Sequence, residues 1–167
     1  MLNFDISNLS EGLSVRDVNI LPKVVDLNNN PEFQQEIELY YEINKVGHEI
    51  FVKVTFQTKA ELLCDRCLES FAVSLEQTID LVLTSDEHIL DREEEDIYMI
   101  TKGTTSVDIT ESIRQNLLLA LPVKKVCSTD CRGLCPQCGQ NLNIKTCSCT
   151  HDTIDARWEA LKQIKFK

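Results

Sequence analysis

Between positions 36 and 56 the chain alternates. Ile37, Leu39, Tyr41 and Ile43 are interleaved with Glu36, Glu38, Tyr40 and Glu42; past "NKVG", Ile50, Val52, Val54 and Phe56 are interleaved with Phe51, Lys53 and Thr55. Successive side chains of a strand point to opposite faces, so a period of two marks strands with one buried face each, and the Gly-containing turn between them predicts a hairpin. A third run, Phe71, Val73, Leu75, Ile79, Leu81 and Leu83, holds odd positions throughout and predicts another strand, antiparallel to the hairpin. Leu2, Phe4 and Ile6 predict a short opening strand, and "IYMI" at 97–100 a short apolar one. The chain from the opening strand to the hairpin, through "DLNNNPEF", is rich in turn formers and has no readable period.

The period then changes. In "VDITESIRQNLLLALP" the residues Ile109, Ile113 and Leu117 recur at helical spacing, with Asp108 as a cap, Glu111 three residues on, and Pro122 as the stop. The tail "HDTIDARWEALKQIKFK" repeats the pattern: Asp152 caps, and Ile154, Trp158, Leu161 and Ile164 share a face. Trp158 reads as a docking anchor for that helix, ahead of a base-stacking role. The predicted class is α+β: an antiparallel β-sheet with a packed helix, then a C-terminal cysteine-rich zinc-binding segment and a terminal helix. The predicted division is a sheet-plus-helix domain over 1–122 and, over 123–167, the zinc-binding segment with the C-terminal helix packed on it.

Composition agrees with a folded chain: 43% of the 167 residues are hydrophobic and 26% charged. The start, "MLNFDISN", has neither a basic region nor an apolar run, and no apolar stretch approaches a membrane span, so a cytoplasmic protein is expected. The net charge is −10, which opposes a simple nucleic-acid binder. That charge is uneven: residues 121–167 carry eight Lys/Arg against four Asp/Glu, leaving −14 on the first 120. Seven acids fall in "DEHILDREEEDI" at 86–97. This run reads first as a solvated loop, with an acidic tether or RNA mimic as the alternative.

Eight cysteines change the picture, six of them between 127 and 149. In a reducing compartment clustered thiols point to metal rather than disulfides. Their spacing is Cys64-x2-Cys67, then Cys127-x3-Cys131-x3-Cys135-x2-Cys138-x8-Cys147-x-Cys149. Tetrahedral zinc takes four thiolates as two short-spaced pairs, and "CPQCG" has the form of a zinc knuckle in which Gly139 permits a left-handed backbone. The partition expected is Cys135, Cys138, Cys147 and Cys149 for one ion, and Cys64, Cys67, Cys127 and Cys131 for a second, the sheet bringing the distant pairs together. A single zinc, or a two-metal cluster of six thiolates within 127–149, remain open, as does His151 in place of one thiolate. His48 and His88 fall in expected loops without partners. The segment 127–149 has few apolar residues, and thiolate-bound zinc supplies on the order of 10 kcal/mol in small peptides, so the metal is read as structural. Four thiolates also leave no open position for substrate. Thiol–disulfide catalysis needs a CxxC at a helix N-terminus, whereas "CDRCLESFAV" leads into a strand pattern. Phosphate loops, GxSxG and HExxH are absent, and no enzyme is expected.

"CDRCLESF", the "VDITESIRQNLLLALPVKKVC" helix and "DCRGLCPQCGQNLN…CSC", in that order, resemble the YceD family of bacterial and plastid proteins over about 62–161. The resemblance places the family's cysteine motifs on all eight cysteines named above. It implies a role in large ribosomal subunit biogenesis, in the accumulation of large-subunit ribosomal RNA, and carries no catalytic residue. Some relatives lack the C-terminal cysteines, which implies that this cluster stabilises a segment. Two functions follow. In the first, a non-enzymatic assembly factor contacts large-subunit rRNA or a precursor ribosomal particle through Lys124, Lys125, Arg132, Lys145, Arg157, Lys162, Lys165 and Lys167. In the second, an adaptor binds basic ribosomal proteins through its acidic sheet and never touches RNA. A thiol redox sensor is the third class, distinguished by little bound metal.

Overall fold

A computed structural model describes residues 1–85 and 96–149. The acidic run at 86–95, with His88, and the whole expected terminal helix, with His151, Arg157, Trp158, Lys162, Lys165 and Lys167, lie outside the described residues.

The alternating segments are strands. β1 is Asn3–Asp5, β2 Gly12–Ile20, β3 Ile37–Val46, β4 Glu49–Leu63, β5 Ser70–Thr84, β6 Asp96–Met99 and β7 Ser106–Asp108; the helix α1 is Thr110–Leu119. Five form one sheet in the order β2-β3-β4-β5-β6, and β1 pairs with β7 in a separate two-stranded ribbon. The expected hairpin is β3–β4, closed by Gly47 at φ +60°, and β5 runs antiparallel to β4 as expected. The architecture is mostly sheet with one α-helix among the described residues, with the cysteine clusters toward the C-terminus.

Three features depart from the sequence pattern. β2 was not legible, because eight of its nine residues are exposed or half-exposed and an edge strand without a buried face has no period to read. β6 pairs with β5 in parallel, so the sheet is mixed at that edge. Helix α1 begins at Thr110, one residue later than a cap at Asp108 requires. The Asp108 carboxylate instead accepts the Thr110 backbone N–H at 2.9 Å and the Thr110 hydroxyl. Glu111 does not turn back to complete a capping box; it pairs forward with Arg114 at 2.8 Å and accepts from Gln115 at 2.8 Å.

The odd residues of β3 and the even ones of β4 face one core, where Ile37, Ile43, Val54 and Phe56 are completely buried. Over that face lies a layer made by α1, the 3-10 turn Pro22–Val25 and the β1–β7 ribbon. α1 contributes Ile113 and Leu117, and Ile109 just ahead of it joins them, all at 0% exposure. The chain start clamps the helix: Leu2 N–H donates to Thr110 Oγ1 at 2.6 Å, and Ile109 N–H donates to the Leu2 carbonyl at 3.0 Å. The ribbon docks through Phe4, whose ring lies 5.6 Å from that of Tyr41.

β4 and β5 run on past the rest of the sheet. The last β3 partner of β4 is Gln57, whereas its ladder with β5 continues to Leu63 opposite Ser70. At roughly 3.3 Å per residue, the two strands project about 20 Å as an arm. Its tip is the turn that holds Cys64 and Cys67.

Candidate metal centres

The arm turns back through Cys64-Asp65-Arg66-Cys67-Leu68-Glu69. Cys64 N–H donates to the Glu69 carbonyl at 2.9 Å, Leu68 N–H donates to the Cys64 carbonyl at 2.9 Å, and Leu68 adopts φ +59°. The segment Cys135-Pro136-Gln137-Cys138-Gly139-Gln140 repeats each feature. Cys135 N–H donates to Gln140 O at 2.8 Å, Gly139 N–H donates to Cys135 O at 2.9 Å, and Gly139 has φ +72°. The two CxxC elements are thus the same knuckle, one with leucine where the other has the expected glycine. The leucine side chain is 64% exposed, so it escapes packing costs while bearing the backbone one.

Each knuckle gathers a second pair of thiols. Cys64, Cys67, Cys127 and Cys131 have all their sulfurs within 4.8 Å of one another, and so do Cys135, Cys138, Cys147 and Cys149. These are the two groups of four that the spacing suggested. Within the first group, Cys64 Sγ lies 3.8 Å from Cys131 Sγ and Cys67 Sγ lies 3.7 Å from Cys127 Sγ. A disulfide needs about 2.05 Å, and all eight are free thiols. In contrast, four sulfurs about 2.3 Å from one ion sit about 3.8 Å apart along the edges of the tetrahedron. The donor sets therefore fit a tetrahedral thiolate-bound ion, and both tetrads can hold a metal. A cluster of six thiolates within 127–149 does not form, since Cys127 and Cys131 side with the arm. The first tetrad takes two sulfurs from each side of the 122/123 boundary.

Electrostatics around the sulfurs favour a cation. Burial pushes the Cys64 thiol up, but backbone N–H groups of Cys127, Cys67 and Arg66 outweigh it and bring it to about 6; the Cys127 N–H···Sγ distance is 3.4 Å. The N–H groups of Cys138 and Gln137 bring Cys135 to about 6 as well. Their neighbours are driven the other way. Burial, then the nearby thiols, push Cys127 up to about 12, and the Cys138 side chain, followed by burial, pushes Cys149 to about 12. Cys64, Cys131 and Cys135 are drawn toward the thiolate, while Cys67, Cys127, Cys147 and Cys149 are pushed toward the thiol and need a positive charge among them to ionise.

The loops of the two tetrads touch. Leu134 N–H, just ahead of the second knuckle, donates to the Arg66 carbonyl inside the first at 2.9 Å. Arg66 Nη1 donates to the Cys131 carbonyl at 3.0 Å. Asn143, between Cys138 and Cys147, donates from Nδ2 to Cys131 Sγ at 3.3 Å and accepts the Arg132 N–H at 2.7 Å. Asn141 Nδ2 reaches Glu69 Oε1 at 3.3 Å. Sequence reading missed Leu68, Arg66, Asn141 and Asn143. The first could have been found by aligning "CDRCLE" on "CPQCGQ"; the others carry no local signal.

Of the basic residues singled out, Lys124, Arg132 and Lys145 are exposed. Lys125 is engaged: its Nζ pairs with Glu32 at 3.3 Å, and its backbone N–H donates to Asp65 Oδ2 at 2.8 Å. The CxxC of the arm leads into β5 rather than a helix, which removes the helix N-terminus that thiol–disulfide catalysts use. No helix among the described residues is long and apolar enough to cross a membrane.

Comparison with known proteins places these features. An uncharacterized protein of Mycobacterium leprae (strain TN) is 26% identical over 132 residues, 78% of this chain and 59% of that protein. A protein of Arabidopsis thaliana named "Large ribosomal RNA subunit accumulation protein YCED homolog 1, chloroplastic" is 25% identical over 135 residues, 65% of this chain and 42% of its own. A Zea mays protein of the same name is 46% identical over 44 residues, 26% of this chain and 15% of its own. The chain spans about three fifths of the length of the mycobacterial relatives it matches. No solved structure matches it. The family described as "Large ribosomal RNA subunit accumulation protein YceD" matches residues 52–165, from the second strand of the central hairpin through both cysteine tetrads, and the chain belongs to that family.

Proposed function

We propose that the protein is a non-enzymatic factor in large ribosomal subunit biogenesis that supports accumulation of large-subunit rRNA, with one structural zinc ion in each cysteine tetrad. The observation that carries this is the family match, which covers the arm, α1 and both tetrads together. Two closed sets of four thiolates support a structural role, because no ligand position is left for a reacting molecule. The zinc would hold 123–149 against the tip of the arm, presenting Lys124, Arg132 and Lys145 to the phosphates of rRNA or a precursor particle; Arg157 and Lys162 belong to the same proposal. The cytoplasm is the compartment proposed.

A second reading has its own observation. The outer face of the sheet carries Asp17, Glu38, Glu42, Glu76 and Asp80 against Lys53 and Lys59, as the strand registers show. Such a face suits a basic ribosomal protein. One titration separates the two. Full-length protein is mixed with a large-subunit rRNA transcript across a salt series, and in parallel with purified basic ribosomal proteins. The first reading expects a shift that weakens as salt rises, as counterion release requires, and that Lys124→Glu, Arg132→Glu and Lys145→Glu together abolish. The adaptor reading expects no RNA shift, and protein binding lost on Glu38→Lys with Glu42→Lys. In cells, depletion of the protein is expected to lower large-subunit rRNA relative to small-subunit rRNA; an unchanged ratio removes the biogenesis role.

A further inference from the structure

The two tetrads share no ligand, yet the loop of one reaches the sulfur of the other. Asn143 sits in the chain between Cys138 and Cys147, so the second tetrad anchors both ends of its loop. Its amide Nδ2 nevertheless donates to Cys131 Sγ, a thiolate of the first, at 3.3 Å. The same amide group donates to Asn141 Oδ1 at 3.0 Å, and its Oδ1 accepts the Arg132 N–H at 2.7 Å, so the side chain is held on both sides. The amide orientation follows from this network: with oxygen and nitrogen exchanged, an oxygen would face the sulfur and an N–H would face an N–H. Backbone contacts run in parallel. The Arg66 carbonyl accepts the Leu134 N–H, and Gly133 packs so closely there that an added Cβ would lie 2.9 Å from Arg66 O. Leu142 N–H closes the loop onto the Gly133 carbonyl at 2.9 Å.

Outer hydrogen bonds to metal ligands orient them and offset thiolate charge, and their loss costs 10- to 100-fold in metal affinity. In this protein one such donor is supplied by a loop whose two ends are ligands of the other centre. We infer that the two centres bind metal cooperatively, with Asn143 as the residue through which occupancy of the second strengthens the first. By linkage, metal at the first then strengthens the second by the same factor. The inference rests on the two-ion reading above and adds to it a dependence between sites whose ligands are separate.

The test uses full-length protein loaded with cadmium as a zinc stand-in, so that each tetrad gives its own NMR resonance, assigned with single Cys→Ser variants. Chelator is titrated, and loss of each resonance is followed separately. Cys147→Ser with Cys149→Ser, which leaves all four ligands of the first tetrad in place, is expected to weaken metal there about tenfold or more. Asn143→Ala alone should weaken the first centre by a comparable factor while both ions are bound. Combined with the two serines, Asn143→Ala should add little, because the loop that positions it is already loose; this non-additivity is what a merely local packing defect does not give. Equal retention at the first centre with and without the second overturns the coupling while leaving two-ion binding intact. Additive effects of Asn143→Ala and the serine pair remove Asn143 as the link. A wild-type chain that takes up fewer than two ions instead overturns the two-ion reading, and the coupling with it.

Discussion

At the residue scale, three positions with left-handed backbone show how differently one angle is tolerated. Leu68, Gly133 and Gly139 have φ of +59°, +73° and +72°. A side chain at such an angle costs roughly 1–2 kcal/mol, and Leu68 bears it while largely exposed. A Cβ at Gly139 would meet nothing within 4 Å, whereas one at Gly133 would meet the Arg66 carbonyl oxygen, a backbone atom fixed by the first knuckle. Gly139→Ala is therefore expected to lower stability of the metal-loaded protein by only about 1 kcal/mol. Gly133→Ala should cost about 1–3 kcal/mol and also loosen the contact between the two tetrads. Denaturant unfolding of both variants, with metal content checked, measures the difference; equal losses would show that φ alone decides. Glycine is visible in a sequence, but which glycine is crowded depends on Arg66, 67 positions away in the chain and adjacent in space.

At the scale of elements, α1 holds by two means. Its buried stripe Ile109, Ile113 and Leu117 was readable from spacing, and all three are fully buried. Leu117→Ala is expected to destabilise by about 2–5 kcal/mol, seen as a lower denaturant midpoint with an unchanged slope. The helix start is an electrostatic device. Hydrogen bonds from the Thr110 hydroxyl, then from its backbone N–H, hold the Asp108 carboxyl below its usual value. A group with a depressed folded pKa adds stability above its unfolded value, about 3.9, and that contribution is lost as pH falls through the folded value. Asp108→Ala should thus be less stable than wild type at neutral pH, and the gap should close on acidification below pH of about 4. A gap that stays constant with pH would mean the carboxylate charge plays no part. An acidic group at the helix start was legible because Asp ahead of an apolar helical stripe is a local signal, although the residue at the cap is Ile109 and Asp108 bonds Thr110. The direction taken by Glu111 was not, since Arg114 and Gln115 compete for it on the helix surface.

At the scale of the whole molecule, the described residues form two buried clusters, with Phe71 packed against both. The large apolar cluster fills the space between the sheet and α1 and contains no cysteine; Cys64, Cys67 and Cys131 make a second, small cluster with Phe71 and Val126 at the arm tip. Metal removal should therefore act unevenly. After chelation, amide protons of 64–69 and 127–149 are expected to lose exchange protection, while β3, β4 and the helix keep theirs. Metal binding should also fail in acid, because protons compete for the thiolates. Uniform loss of protection would mean that the metal-binding cluster and the sheet core fold as one unit.

The sequence alone determined what depends on local periodicity and spacing. These are the period-2 strands β3, β4 and β5, the apolar stripe from the start of α1, and the two CxxC pairs, because short-range sterics and ligand reach are written into neighbouring residues. Tertiary structure decided the rest. It placed the exposed edge strand β2, which buries too little to leave a pattern, and it set β6 parallel. It carried Cys64 and Cys67 to Cys127 and Cys131 on the arm, and it put Asn143 against a sulfur of the other tetrad. Each of these joins groups far apart along the chain, and only the packed fold fixes the distance between them.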